Sequence, residues 1–417
     1  MKRRALVIAG CLALATSAAI AQEGAVPTGI PRLDHVFVIM MENHGYSQIL
    51  KNPNAPFINK YAQTANLATN YFAVAHPSLT NYLEVVGGSN FGVLSDNASD
   101  WHNATCMTNL ATGVADTDNP PSGPICPITG SGTDAATPAI DMTNETQGPP
   151  GDINIDGTAS YPAVTTTLGI TIAEQLVTAG KTWKSYQENI SANPDKVNYS
   201  DGVFTNLTDF TKIKPVLNPP LTNSDIVQLY AAKHNPFVYF QDIQQGNTPQ
   251  LSYSQMADFE GSNGLYADLR SGKGPNFSFI APNQCNDQHG RGNAGPFCLY
   301  DPNDNGGQAG LNPALIQLGD HTVQRIVSAI HSSPVWTNGS HTAIVVVWDE
   351  NDYSVSPITN QVVTIVDTNY GVHPVQSGQF YTHFSLLRSL EGGLGLPCLN
   401  HACDASTAAM SDLFAAQ

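Results

Sequence analysis

The sequence contains little positive charge. Lys and Arg together number 17 against 34 Asp and Glu, which gives a formal net charge of −17 at pH 7. Proteins that bind nucleic acid or anionic membranes need Lys and Arg to neutralise phosphates, so this balance disfavours both functions. An enzyme with this composition that acts on anions would depend on a metal ion for much of the positive charge that binds its substrate.

Beyond the N-terminus the sequence also lacks long apolar runs. No later segment approaches the roughly 18 uninterrupted apolar residues of a membrane span, so we expect no transmembrane segment in the mature chain. At the N-terminus, Lys2–Arg4 precede the apolar stretch Ala5–Ala15, and Ala19–Ala21 forms a small-residue cleavage site. We predict a signal peptide at residues 1–21 and export to the periplasm or the medium. A lipoprotein-type box at Ile8–Cys11 is an alternative, although it would leave only a short apolar segment before it.

Cysteine is scarce as well. One of the seven cysteines, Cys11, lies in the predicted signal peptide, and the other six form no CxxC pair, which argues against a zinc site built on them. An even number of cysteines in an exported chain favours disulfides, and the spacing indicates three local loops. The predicted pairs are Cys106 with Cys126, Cys285 with Cys298, and Cys398 with Cys403.

The pattern of apolar residues predicts alternating strands and helices. The predicted strands are Asp34–Asn43, Leu67–Val74, Thr182–Gln187, Phe237–Phe240, Asn276–Ala281, Ala343–Trp348 and Gln361–Val366. The predicted helices are Ala55–Thr64, Ser78–Gly87, Thr171–Ala179, Asn223–Lys233, Pro313–His331 and Tyr381–Leu390, with helical turns over Tyr253–Arg270. Such alternation implies a parallel sheet covered on both faces. We therefore predict an α/β fold, doubly wound around a mostly parallel central sheet with helices on both faces.

The region from Leu94 to Thr167 has a different composition. It is rich in Asn, Asp, Thr, Gly and Pro and shows little periodicity, so we predict a loop-rich insertion lying over the edge of the sheet. The candidate active-site residues run from Glu42 to His383, which favours a single domain over residues 22–417 that contains this insertion.

Two predicted strands end in acidic and amide residues. The first ends on Glu42 and Asn43, and the strand ending at Trp348 is followed by Asp349 and Glu350. Open α/β folds place their active sites at the carboxyl edge of the sheet, so these residues are candidates for metal binding or catalysis. Either pair taken alone could simply cap a helix or a turn.

Several segments together resemble one enzyme family. They are VIMMEN, AHPSLTNYLEVVGG, GKTWKSYQEN, KHNPFVYF, FSFIAPNQCNDQHG, VVVWDEND and YTHFSLLRSLEGGLGLP. In order and nearly complete from Asp34 to Pro397, they are similar to the phosphoesterase family of bacterial acid phosphatases and phospholipases C, within the alkaline phosphatase superfamily. Thr80 departs from the pattern, because the family usually has proline there.

The resemblance implies a role for each candidate residue. Ser78 would be the nucleophile at the start of a helix, Asn81 would donate to a phosphoryl oxygen, and His76 would orient Ser78 or carry a proton. The implied metal-site residues are Glu42, Asn43, Ser78, Asp287, His289, Asp349, Glu350 and His383. Each has an ordinary alternative: Ser78 as a helix-start residue, Asp287 and His289 as parts of a loop braced by Cys285, His76 and His383 as packed side chains.

A phosphate ester is a poor electrophile surrounded by negative oxygens, so its hydrolysis calls for a divalent cation that neutralises charge and activates the hydroxyl. The oxygen-rich residue set suits Mg, Mn or Ca, while histidine ligands would admit Zn or Fe. We therefore predict an exported, metal-dependent phosphomonoesterase that acts through a phosphoseryl intermediate on a small phosphorylated substrate. The alternatives are a phospholipase C-type phosphodiesterase acting on phospholipid head groups, with the insertion controlling access, and a non-catalytic protein that binds phosphate or glycans. No motif predicts the oligomeric state.

Overall fold

The fold is taken from a computed structural model that describes residues 23–103, 105–106, 116–117, 123–132, 166–200, 229–290, 298, 313–352 and 359–414. The strands are β1 His35–Met41, β2 Asn66–Ala68, β3 Tyr71–Phe72, β4 Val93–Leu94, β5 Asp116–Thr117, β6 Ser131–Gly132, β7 Thr167–Leu168, β8 Trp183–Gln187, β9 Met256–Ala257, β10 Phe277–Ala281, β11 Thr342–Trp348, β12 Thr364–Thr368, β13 Gln376–Ser377 and β14 Tyr381–Thr382. The α-helices are α1 Tyr46–Ile49, α2 Pro56–Thr64, α3 Ser78–Gly87, α4 Ile172–Thr178, α5 Gln241–Gln245, α6 Leu265–Ser271, α7 Pro313–His331, α8 Pro334–Thr337, α9 His383–Leu394 and α10 Ser411–Phe414. Short 3₁₀ helices cover Pro194–Lys196, Ala232–His234, Pro236–Tyr239, Tyr253–Gln255 and Asn400–Cys403.

Within the described residues, eight strands form the main sheet in the order β13-β2-β12-β11-β1-β10-β8-β9. The centre is parallel, since β1 pairs in parallel with both β10 and β11, and β10 pairs in parallel with β8. Only β12 runs antiparallel to its neighbours, β11 and β2. The predicted α/β fold with a mostly parallel sheet is therefore confirmed.

The central strands are buried on both faces. All residues of β10 and β11, and all but the first of β1, are buried. Because successive side chains of a strand point to opposite faces, continuous burial means that both faces of the sheet are covered. Helices α2 and α7 pack on one another, as do α3 and α9. None of the helices among the described residues has the length and apolar character needed to cross a lipid bilayer.

The helix that carries Ser78 begins and ends as the sequence indicates. Pro77 is the N-cap residue of α3, and Gly88 ends the helix in the left-handed region with φ 72°. A side chain at Gly88 would be strained in that conformation, and its Cβ would lie 2.6 Å from the carbonyl oxygen of Leu399. The position of Ser78 in the first turn of α3 is thus fixed locally at both ends of the helix.

Some predicted elements are wrong. Phe237–Phe240 is not a strand, because Pro236 starts the 3₁₀ helix Pro236–Tyr239, and a short buried apolar run does not distinguish the two structures. The predicted strand Leu67–Val74 divides at the polar pair Thr69–Asn70 into β2, in the main sheet, and β3, which pairs with β14.

Three further boundaries differ from the sequence prediction. The strand predicted at Gln361–Val366 lies at Thr364–Thr368, and the final helix begins at His383 rather than Tyr381. The predicted helix Asn223–Lys233 falls mostly outside the described residues, and its last part lies in the 3₁₀ helix Ala232–His234. Much of the predicted insertion, and the whole signal peptide, also lie outside the described residues.

The three predicted disulfides are confirmed. Cys106–Cys126, Cys285–Cys298 and Cys398–Cys403 have Cα–Cα distances of 5.5, 4.7 and 5.2 Å, within the usual range for a disulfide. Each closes a local loop. Disulfides persist mainly in oxidising compartments, so the pairing is compatible with export.

A buried glutamate at the start of α4 makes the stability depend on pH. Glu174 Oε2 accepts hydrogen bonds from the backbone N–H of Thr171 at 2.7 Å and from its hydroxyl at 2.6 Å. Burial nevertheless raises the pKa of Glu174 from 4.5 to about 7. Between pH 4.5 and pH 7, Glu174 is protonated in the folded protein and ionised in the unfolded chain. The stability that Glu174 contributes is therefore fully present below about pH 4.5 and is lost as the pH rises through 7.

We expect this group to lower the free energy of unfolding by roughly 3 kcal/mol between pH 4.5 and pH 8. Glu174→Gln, which can still accept both hydrogen bonds, should remove that part of the pH dependence. Urea unfolding of both proteins across this range measures the difference, with Asp195→Asn as a control at an exposed carboxylate. Parallel stability curves for wild type and Glu174→Gln would contradict the assignment.

Candidate active site

The carboxyl ends of three adjacent strands bring the predicted acidic residues together. Glu42 follows β1, Asp349 and Glu350 follow β11, and Asp287 lies in the loop after β10. Main-chain N–H groups join these ends: Glu42 N–H donates to the carbonyl of Asp287 at 2.9 Å, and Asn43 N–H donates to the side-chain Oδ1 of Asp349 at 2.8 Å. The site is therefore built on the sheet itself.

Ser78 lies between two of these carboxylates. Its Oγ is 3.1 Å from Glu42 Oε2 and 3.3 Å from Glu350 Oε1, both within hydrogen-bond distance. All three side chains are buried, although Ser78 is 36 residues from Glu42 and 272 from Glu350 in the sequence. The structure brings Glu42, Ser78 and the Asp349–Glu350 pair together at the carboxyl edge of the sheet.

The concentration of buried carboxylates shifts their pKa values upward. Burial raises the pKa of Glu42 well above its ordinary value, and the neighbouring Asp349 raises it further. Burial likewise raises the pKa of Asp349, with Glu350 adding to the effect, and that of Asp287, with Glu42 adding. A cation placed among these groups would offset both the burial and the mutual repulsion.

One lysine, to which the sequence analysis assigned no role, reaches this cluster. Lys233 Nζ is 3.3 Å from Ser78 Oγ, 2.8 Å from Asp96 Oδ2 and 3.4 Å from His289 Nε2. Asp96 belongs to the predicted insertion, and it contacts Lys233 beside Ser78. Lys233 could have been identified in the sequence from its position in KHNPFVYF, one of the segments that resemble the phosphoesterase family.

His234, the next residue, was also missed. Its Nε2 is 3.0 Å from Glu42 Oε1 and its Nδ1 is 3.2 Å from Asp287 Oδ2. The ring is buried and stacked on Tyr82, with centroids 5.2 Å apart. Burial, with the positive charge of Lys233 adding to it, lowers the pKa of His234 well below its ordinary value, so the imidazole is neutral.

Asp287 and His289 form one unit in the loop after β10. Asp287 Oδ1 accepts a hydrogen bond from the backbone N–H of His289 at 2.8 Å, and His289 Nδ1 is 2.7 Å from the carbonyl oxygen of Gly290. Burial lowers the pKa of His289 to about 3. The neutral ring thus donates through Nδ1 and turns the lone pair of Nε2 toward Lys233. Direct coordination of a metal by this pair stays a prediction.

Asn81 has different contacts from those predicted. Its Oδ1 accepts from the backbone N–H groups of Val74 and Ala75, while its Nδ2 donates to the carbonyl of Ala75 at 2.8 Å and to Glu350 Oε2 at 3.0 Å. Both amide hydrogens are therefore used within the protein. In this arrangement Asn81 positions Glu350, and donation from Asn81 to a phosphoryl oxygen stays a prediction.

The two remaining predicted histidines contact the acidic pair that follows β11: His76 contacts Glu350, and His383 contacts Asp349. His76 Nδ1 is 3.0 Å from Glu350 Oε2, so His76 contacts the partner of Ser78 rather than Ser78. The His383 ring is 2.7 Å from the carbonyl oxygen of Asp349 through Nε2 and 3.0 Å from the hydroxyl of Tyr71 through Nδ1. With both nitrogens hydrogen-bonded, His383 does not fit the predicted role of metal ligand.

The chemistry of the remaining donors fits a divalent cation. Glu42 Oε1, Asp349 Oδ2 and Asp287 Oδ2 are buried without a hydrogen-bond partner among the described residues. His234 Nε2 and Nδ1 lie near two of these atoms, Glu42 Oε1 and Asp287 Oδ2, without hydrogen-bond alignment. Across the part of the chain that the structure describes, no three His, Cys, Asp or Glu side chains already converge as a metal-binding group. Candidate metal-ligand atoms are therefore present among the described residues, but they approach one another in pairs, such as His234 with Glu42 and His234 with Asp287.

The sequence comparison identifies the family to which this geometry belongs. Residues 48–296, more than half of the chain, match the sequence profile of the Phosphoesterase family. The chain belongs to the Phosphoesterase family. The resemblance seen in the sequence motifs is thereby confirmed, and the protein is a phosphoric ester hydrolase. The matched region contains Ser78, Lys233, His234 and the Asp287–His289 loop, whereas Glu42 precedes it and Asp349 and Glu350 follow it.

Named relatives align with most of the chain at low identity. A phosphatidylinositol-3-phosphatase of Mycobacterium tuberculosis is 24% identical over 96% of this chain and 92% of its own length. An acid phosphatase of Aspergillus fumigatus is 23% identical over 87% of this chain, which spans 55% of that protein. A phosphate-repressible acid phosphatase of Penicillium chrysogenum is 23% identical over 95% of this chain and 72% of its own length.

Solved structures with a similar arrangement have low sequence identity. An alkaline phosphatase superfamily protein from Vibrio parahaemolyticus superposes with a TM-score of 0.46 and 11% identity, covering 92% of this chain and 72% of that one. The lipoteichoic acid synthase LtaP from Listeria monocytogenes gives a TM-score of 0.44 and 8% identity, covering 94% and 78%.

Proposed function

We propose that this phosphoesterase is an exported, metal-dependent phosphomonoesterase whose nucleophile is Ser78. The supporting observation is the position of the Ser78 hydroxyl, which lies 3.1 Å from Glu42 and 3.3 Å from Glu350 at the carboxyl edge of the sheet. A serine hydroxyl is a weak nucleophile until a neighbouring group takes its proton. Either carboxylate can accept that proton.

In the proposed reaction Ser78 Oγ attacks phosphorus while its proton passes to Glu42 or Glu350. The bond between phosphorus and the ester oxygen breaks, and the alcohol leaves with a proton from solvent. Water then attacks the phosphoseryl group, which restores the serine hydroxyl and releases inorganic phosphate. Asn81 and His76 hold Glu350 in place for both steps through their contacts with Glu350 Oε2.

A divalent cation bound here would neutralise the phosphate oxygens and lower the pKa of the attacking hydroxyl. The residues proposed to hold it are Glu42, Asn43, Ser78, Asp287, His289, Asp349 and Glu350, with His234 added on the geometry described above. In the structure Asn43 contributes through its backbone N–H, which orients Asp349. Asn43 adopts φ 57°, a left-handed conformation that asparagine tolerates better than most residues.

The names of the relatives support hydrolysis of a monoester. Two are named acid phosphatases, and the Mycobacterium tuberculosis relative is named for a phosphoinositide that carries a monoester phosphate on its ring. Export is supported by the three disulfides and by the predicted signal peptide at residues 1–21. The phospholipase C-type alternative differs in admitting a second esterified group at phosphorus.

A substrate panel tests the proposed function. We expect kcat/KM for p-nitrophenyl phosphate and for short-chain phosphatidylinositol 3-phosphate to exceed that for bis(p-nitrophenyl) phosphate and phosphatidylcholine by at least about tenfold. The reason is that a monoester presents one more negative oxygen, and a charge-assisted hydrogen bond contributes about 1.5–3 kcal/mol. Faster hydrolysis of the diesters would favour the phospholipase C-type activity. Binding of phosphate without hydrolysis of any substrate would favour the non-catalytic alternative.

A further inference from the structure

Lys233 brings a positive charge into direct contact with Ser78. It lies in the 3₁₀ helix Ala232–His234, and its side chain is 13% exposed. Among the described residues it is the only Lys or Arg with a hydrogen bond to Ser78. Of the three acceptors around this ammonium group, Asp96 Oδ2 at 2.8 Å holds it, while Ser78 Oγ at 3.3 Å and His289 Nε2 at 3.4 Å are longer contacts that a substrate oxygen can replace.

The surroundings keep Lys233 charged. Asp96 Oδ2 lies 2.8 Å from Nζ, and this carboxylate is the counter-ion of the lysine. A lysine side chain is ordinarily positively charged at neutral pH, so the contribution of Lys233 to the site is positive charge.

The geometry assigns Lys233 as the residue that binds a non-bridging phosphoryl oxygen and makes the site select doubly charged phosphomonoesters over singly charged diesters. This inference rests on the proposed function, because it takes Ser78 as the nucleophile. In a near-attack position phosphorus lies about 3–3.5 Å from the attacking oxygen. The oxygens around phosphorus are then within reach of an ammonium group that is itself 3.3 Å from Ser78 Oγ.

Asp96 positions this lysine. Its Oδ2 is 2.8 Å from Lys233 Nζ, and its Oδ1 accepts the backbone N–H of Leu79 at 3.0 Å. One carboxylate thus connects the ammonium group to the first turn of α3, immediately after the nucleophile. Because Asp96 belongs to the insertion Leu94–Thr167, the insertion contributes to substrate selection through charge placement, in addition to any effect on access.

The test compares two substrates with the same leaving group. p-Nitrophenyl phosphate is doubly charged at pH 7.5, above its second pKa of about 6, whereas methyl p-nitrophenyl phosphate carries one charge. We expect Lys233→Met to lower kcat/KM about 100-fold for the monoester and about tenfold or less for the diester. The monoester-to-diester ratio should therefore fall about tenfold, while Lys233→Arg, which keeps the charge, should retain most of it.

A matched control is available in the same chain. Lys184 forms a comparable partly buried ion pair with Asp268 at 2.5 Å, in strand β8, and Lys184→Met should leave the substrate ratio unchanged. Lys233→Gln provides a second variant in case Lys233→Met does not fold, because glutamine can still donate a hydrogen bond to Asp96 but has no charge. It should show the same fall in the ratio.

Equal losses for both substrates in Lys233→Met and Lys233→Gln, or no loss, would overturn the role in selection. Ser78→Ala assayed beside them distinguishes this result from failure of the proposed function. Hydrolysis that persists in Ser78→Ala rejects the nucleophile, and with it the basis of the inference. Hydrolysis lost in Ser78→Ala, together with an unchanged ratio in the Lys233 variants, rejects only the assignment of Lys233.

Discussion

Replacing Ser78 by alanine is expected to lower kcat/KM for p-nitrophenyl phosphate by about 10⁴-fold or more, as removal of a catalytic nucleophile does in other hydrolases. In the proposed mechanism the hydroxyl between Glu42 and Glu350 supplies the atom that attacks phosphorus, and alanine has none. A loss of this size corresponds to at least about 5.5 kcal/mol of transition-state stabilisation. Steady-state kinetics with the aryl phosphate measures it.

The fold should survive this substitution. Ser78 Oγ does not cap α3; the contact to a backbone N–H at that end comes from Asp96. Alanine is also favourable in a helix. The thermal midpoint and far-UV circular dichroism of Ser78→Ala should therefore stay close to those of wild type. Ser278→Ala removes another fully buried serine hydroxyl, in strand β10, and serves as a control that should keep its activity. Undiminished hydrolysis by Ser78→Ala would refute the mechanism.

Removal of divalent metal is expected to have the second largest effect, a loss of kcat/KM of about 10³-fold that returns when a suitable cation is added. Lewis-acid stabilisation of a transferring phosphoryl group contributes several kcal/mol, and about 4 kcal/mol corresponds to this factor. The structural reason is that Glu42, Asp287 and Asp349 are buried together with raised pKa values. Without a cation, a phosphate dianion would have to approach these carboxylates, and Lys233 would offset only part of their charge.

The experiment uses protein dialysed against a chelator, with metal content checked by elemental analysis and with Mg, Mn, Ca, Zn and Fe added back separately. Binding should also raise the thermal midpoint, since a cation at 100 times its Kd stabilises the folded state by about 2.7 kcal/mol. Glu42→Gln should lose that thermal response. Full activity in protein shown to contain no metal would exclude a metal-dependent reaction.

The sequence was most informative where the chain is most deeply buried. β1 and β11 were predicted because strands covered on both faces are continuous apolar runs, and their abrupt polar ends identified Glu42, Asp349 and Glu350. Helix α3 was predictable from Pro77 and Gly88, which mark its two ends. These signals are local, and they position the acidic part of the site without knowledge of the tertiary structure.

The other half of the site could not be predicted in this way. Lys233 and Asp96 are 137 residues apart in the sequence, so only the folded chain shows that they pair beside Ser78. Lys233 and His234 lie in the KHNPFVYF segment, but that segment does not show which residues they contact. The contacts of Asn81 with Ala75 and Glu350 could not be predicted either, because a sequence does not show which acceptors the amide hydrogens meet.

Hydrogen bonds from main-chain N–H groups fix the acidic residues to the ends of β1, β10 and β11, whereas Lys233 is held by Asp96. These two parts of the enzyme can therefore evolve at different rates. Acidic groups fixed to the sheet cannot shift without disturbing the core, whereas Asp96, which anchors Lys233, lies outside the strands of the main sheet, in the predicted insertion. A lineage could therefore acquire a new preference among phosphorylated compounds by exchanging that region alone, while its bond-breaking apparatus is inherited unchanged.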